Sequence, residues 1–103
     1  MDFSAIRVSF RRDPIFPGIV TIVAECYFKP NISQYSKNII ELVVISKVYE
    51  LYELALKDGA TYCVTDNFHP SVAKDRITVF GSVCFADTAS KQKFYNDIKD
   101  VYS

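Results

Sequence analysis

Asn38-Ile39-Ile40-Glu41-Leu42-Val43-Val44-Ile45 is the stretch on which the fold turns. It is rich in β-branched residues and almost continuously apolar. A buried strand and a helix would both look like this, and periodicity does not arbitrate between them. Its surroundings favour the helix. No turn signal interrupts the chain near Ser46. The residues that follow carry a helical charge stripe, Lys47, Glu50, Glu53 and Lys57, with Val48, Tyr49, Leu51, Tyr52, Ala55 and Leu56 spread over the opposite side. Upstream, Pro30-Asn31 breaks the chain and Ser33 or Ser36 supplies a helix cap. Downstream, Asp58-Gly59 is a stop signal. The reading is one long helix ending at about Lys57. Its first half is apolar nearly all round, so it needs cover on two sides, and a second copy of the chain is one such cover.

Strands flank this helix. Residues 4–11 alternate, with Ile6, Val8 and Phe10 on one face and Arg7, Ser9 and Arg11 on the other. The loop Asp13-Pro14-Ile15-Phe16-Pro17-Gly18 stops the ladder. Over 19–29, Val20, Ile22, Ala24, Cys26 and Phe28 form a uniformly apolar face toward the core. Ile19, Thr21, Val23, Glu25, Tyr27 and Lys29 look the other way. Beyond the helix, Ala60–Thr65 reads as a short third strand and 66–75 as a loop. A fourth strand covers 76–86, with Ile77, Val79, Gly81, Val83 and Phe85 inward and Thr78, Phe80, Ser82 and Cys84 outward. Asp87 or Thr88 caps a last helix, whose Phe94, Ile98 and Val101 recur at helical spacing while Lys93 and Asp97 form an i, i+4 pair.

Strand, loop, strand, helix thus occurs twice. Val20-Thr21-Ile22-Val23-Ala24 aligns with Ile77-Thr78-Val79-Phe80-Gly81, and both loops set an aromatic beside a proline. An internal duplication would leave this trace, and so would two hairpins of similar length. The expected fold is α+β: a single domain over 1–103, with a four-stranded, mostly antiparallel sheet and two helices on one face, in the order ββαββα.

Composition narrows the function classes. The 103 residues are 50% hydrophobic, enough for one core without metals or disulfides. Twelve basic residues balance twelve acidic ones, a poor match for a dedicated nucleic-acid or membrane-surface binder. Three scattered cysteines are not a disulfide framework. The Met-Asp-Phe-Ser opening lacks the apolar run of a signal peptide, and no stretch approaches a membrane span. A cytoplasmic protein with no cofactor is expected.

Chemistry-bearing residues are sparse. Cys63 with His69 and Asp66 is the one local set offering a thiol, a base and an orienting acid. Cys63 sits in a short apolar strand, where a cysteine is ordinary packing. Cys26, Cys63, Cys84 and His69 match the count of a Cys3His zinc site, but not the close-pair spacing. Glu41, Glu50, Glu53, Asp97 and Asp100 read as solvated charges. Gly18, Gly59 and Gly81 are isolated and form no phosphate loop. No enzyme is expected.

Binding is favoured instead. With both helices on one sheet face, the other presents Ile19, Val23, Tyr27 and Phe80 among polar residues, the mark of an interaction surface. Phe16, Phe68 and His69 extend the candidate partner site onto loops. Arg7, Arg11, Arg12 and Lys29 beside Tyr27 and Phe80 support a competing expectation, single-stranded nucleic-acid binding by an open sheet. Against it stand the neutral charge and Glu25 in the middle of that face. In size and style the chain resembles the small accessory proteins of bacteriophages, many of which bind and block a host or defence protein. That resemblance implies an inhibitor or adaptor and assigns no residue a role.

Overall fold

The computed structural model describes residues 5–13, 15–64 and 71–102, with side chains left aside at 62–64 and 99–102. Phe68 and His69 therefore lie outside the described residues, as do Asp66 and the side chain of Cys63. Among the described residues five strands and two helices follow in order: β1 (Arg7–Arg12), β2 (Ile19–Tyr27), α1 (Gln34–Lys57), β3 (Ala60–Val64), β4 (Ser71–Val72), β5 (Arg76–Phe85) and α2 (Thr88–Tyr102). All ladders are antiparallel, in the order β1-β2-β5-β3. The two-residue β4 pairs with Thr78 and Ile77 of β5, beyond the part of β5 that β3 covers. β4 falls inside the stretch expected to be loop, so the order is ββαβββα where ββαββα was expected; the α+β class, the antiparallel sheet and the two helices are as expected.

The ambiguous octapeptide is helical, within one unbroken helix of 24 residues. Ser33 caps it: its backbone is extended, and its hydroxyl oxygen accepts the Ser36 N–H at 3.1 Å. At the far end the N–H groups of Asp58 and Gly59 return to Leu54 and Leu56 carbonyls. Gly59 adopts φ 107°, a left-handed turn that a side chain resists, and a Cβ there would also meet Ser90. α2 is capped by Asp87, whose carboxylate accepts from the Ser90 N–H at 2.7 Å and the Ser90 hydroxyl at 3.1 Å.

One layer of core lies between the sheet and the two helices. The inward faces of β2 and β5 meet Ile40, Val44, Val48, Leu51, Tyr52 and Ala55 of α1 and Phe94 and Ile98 of α2. α1 crosses close to β5 at Gly81, where the absent side chain makes room for the Tyr52 ring. The Tyr52 hydroxyl accepts the Ser82 N–H at 3.0 Å. Further along β5, opposite Cys84 and Phe85, β3 shifts register between Ala60 and Tyr62.

Candidate functional site

The candidate site is the sheet face turned away from the helices. Among the described residues no helix lies over it, because α1 and α2 both pack into the core on the other side. Strand alternation and register build it in rows across the sheet. Ser9, Val23 and Phe80 form the central row. Arg7, Glu25 and Thr78 form the next, then Tyr27 and Arg76; Arg11, Thr21 and Ser82 lie on the opposite flank.

Phe80 keeps 42% of its surface exposed, so an aromatic ring stands on the open face. Val23 is only 4% exposed, against the expectation that it would be displayed. It is a small side chain on a central strand with a neighbour on each side, and cross-strand partners ~5 Å away suffice to cover it. Tyr27 is half-buried. The Arg7 guanidinium lies 5.4 Å from its ring centroid and that of Arg76 lies 6.0 Å away, reaching from the two flanking strands. Arg76 also donates to the Tyr27 hydroxyl at 3.3 Å, and this bond is the main cause of its raised pKa. Arg76 was not among the expected site residues. Strand parity could have found it, since 76, 78 and 80 share a face.

The other expected residues disperse. Phe16 is exposed in the β1–β2 loop beyond the Ile19 end of β2, whereas Tyr27 ends that strand. The eight steps from Ile19 to Tyr27 set the two ends about 26 Å apart, so Phe16 and Tyr27 do not share one surface. The loop itself is ordered by Asp13, whose carboxylate accepts the N–H groups of Ile15 at 2.9 Å and Phe16 at 2.8 Å. Those two bonds, that of Phe16 first, lower the Asp13 pKa. Arg7 and Arg11 lie on the open face, as expected. Arg12 does not: it pairs with inward-facing Val20 and its guanidinium lies 6.0 Å from the Tyr95 ring of α2. Lys29 is exposed just past β2.

Cys26 is buried in the core and Cys84 lies on the opposite face, so the sheet separates them. Among the described residues no group of His, Cys, Asp or Glu is placed to hold a metal ion, and no helix is long and apolar enough to cross a membrane. A cleft of about 270 Å3 opens between Gly18, Phe85 and the start of α2. Its two charged side chains are already engaged: Asp87 caps α2, and Lys91 donates to the Pro17 carbonyl at 2.6 Å.

One acidic group is under stress. The Asp58 side chain is 1% exposed, and its buried Oδ2 has no hydrogen-bond partner among the described residues. Lys93 comes within 3.7 Å of Oδ1, turned toward Asp58 where pairing with Asp97 was expected. Burial raises the Asp58 pKa, and the nearby Asp97 carboxyl raises it further. The folded state therefore holds this proton more tightly than the unfolded chain does. Its stability contribution is complete below the ordinary carboxyl pKa of about 4 and is lost as pH rises through the folded value. Asp58→Asn, which cannot ionise, should raise stability at pH 7 by about 1 kcal/mol and give no gain at pH 4. Urea unfolding at the two pH values checks this; equal effects at both would place the burden elsewhere.

Comparison of the chain with protein-family models, curated proteins and solved structures finds no match.

Proposed function

We infer that this chain is a non-enzymatic binding module that docks another protein on the open face of its sheet. The reading rests on Phe80, a large ring left exposed in the central row of a sheet face with no helix over it. Aromatic anchors with a polar surround are the usual core of a protein–protein contact. Thr21, Thr78 and Ser82 supply neutral polar neighbours, and Arg7, Arg11 and Arg76 a cationic margin that favours an acidic rim on the partner. An inhibitor or adaptor acting in the cytoplasm, as small phage accessory proteins do, is the role that fits.

Capture from cells of the native host, read by mass spectrometry, tests it. A partner held by the wild type should be lost with Phe80→Glu and retained with Phe16→Glu, both variants keeping the wild-type circular dichroism. A partner indifferent to Phe80→Glu and to Tyr27→Ala would move the docking site off this face.

Arg76 gives the nucleic-acid reading its one gain, a third guanidinium on the face with Arg7 and Arg11. Tyr27 works against it. Its ring is engaged by two arginines, leaving Phe80 as the free stacking platform there. That reading requires labelled oligonucleotides to be retained at low salt and released steeply as salt rises.

A further inference from the structure

The inward side of α1 does not account for its sequence. Ile40, Val44, Val48, Leu51, Tyr52 and Ala55 meet the sheet. On the outer side Tyr35, Leu42, Tyr49 and Leu56 recur at every seventh position, with Ile39, Ser46 and Glu53 four residues after the first three. This is the spacing of a coiled-coil seam, sustained along a helix about 36 Å long. The apolar members, with Val43 beside them, are exposed to between 41% and 74%.

We propose that a second copy of this chain covers this seam, forming a twofold dimer through an antiparallel α1–α1 pair. Area points to a stable contact. The six exposed apolar side chains leave on the order of 700 Å2 open, given ordinary side-chain areas, against the ~800 Å2 that each partner gives a standard-size interface. Twofold symmetry lets one self-complementary stripe cover itself.

Charge sets the direction. In a parallel pair each residue meets its own copy, and Glu53 would face Glu53 inside the seam. An antiparallel pair centred on the level of Val44 separates the two. Leu42 then meets Ser46, Ile39 meets Tyr49, and Glu53 meets Tyr35, whose hydroxyl can donate to the carboxylate. Leu56 reaches Ile32, a half-buried residue just before the cap. Ser46 at the middle is small enough for close approach. This contact uses the opposite side of the molecule from Phe80, so the two surfaces act independently.

Sedimentation equilibrium of the purified chain is the test. The wild type should run at twice its 11.7 kDa mass at about 50 µM. Leu42→Glu should weaken the dimer by about 100-fold or more with unchanged circular dichroism, and Phe80→Glu should leave the dimer intact. Leu42→Ser with Tyr49→Ser is the milder check should the glutamate disturb the helix. Orientation is read by mixing wild type with Glu53→Lys: no preference for the mixed dimer supports the antiparallel pair, and strong mixed pairing overturns it in favour of a parallel one. A wild type that stays monomeric overturns the second-copy assignment, as does a dimer that survives Leu42→Glu and falls apart with Phe80→Glu.

Discussion

Gly81→Ala should destabilise the protein by about 3 kcal/mol, lowering the melting temperature by on the order of 15 °C. The new Cβ would overlap the Tyr52 hydroxyl, lie 2.7 Å from its Cζ and stand 2.8 Å from Val48 Cγ1. Nothing there is the loose end of a flexible chain. Tyr52 and Val48 are buried against the sheet, and the Tyr52 hydroxyl is committed to the Ser82 N–H. To make room, α1 must lift from β5 or Tyr52 must swing away and leave that N–H unpaired, at a cost of ~1–3 kcal/mol. Tyr52→Phe in the Gly81→Ala background removes the overlapping oxygen. The double variant should be more stable than the sum of the two single losses by about 1 kcal/mol or more. Strict additivity in urea unfolding would mean that the two residues do not oppose each other.

Phe94→Ala should cost about 4 kcal/mol, a large share of what holds a domain of this size together. The ring is fully buried. It meets Phe10 edge-on at 5.9 Å and 83°, and Phe85 at 5.3 Å. It therefore joins β1, β5 and α2 at once. Its removal leaves a cavity ringed by stiff aromatics that collapse poorly, so the loss falls toward the upper part of the usual range. The midpoint in urea should fall sharply while Ile98→Val, one turn further on, costs about 1 kcal/mol. A loss below 1 kcal/mol for Phe94→Ala would mean that α2 contributes little to the core.

Much of this arrangement was readable in advance, for reasons that particular residues make plain. In β2 and β5 every second residue is apolar, and parity alone placed Val20, Ile22, Val79 and Val83 inward and Tyr27 and Phe80 outward. The caps were legible at Ser33 and Asp87 because their side chains act within a few residues of their own position. β4 was not legible. Two residues show no alternation, and Ser71-Val72 is ordered by a partner strand rather than by its own preference. For α1 the need for cover on two sides was legible, but not which side the sheet would take. The Ile39–Ile45 run is apolar on both sides, so nothing in it tells the covered side from the open one until the sheet takes Ile40 and Val44. Arg76 beside Tyr27, and Asp58 beside Lys93, join residues far apart in the chain, and local spacing is blind to such meetings. Lys93 and Asp97 had the spacing of an ordinary surface pair, and the stop after α1 drew the lysine away.

The ladder in the middle of the sheet ties residues 19–27 to residues 76–84. The first hairpin and the long helix can organise from near neighbours, but neither gains a completed interior until the late strand slots between β2 and β3. Closing so wide a loop is slow. Until it closes, β2 has one bare margin able to zip onto strangers, the ordinary route to clumping during synthesis. The outer edge of β1, which pairs with β2 alone among the described strands, carries Arg7, Arg11 and Arg12, charges that discourage pairing of the same kind there through mutual repulsion.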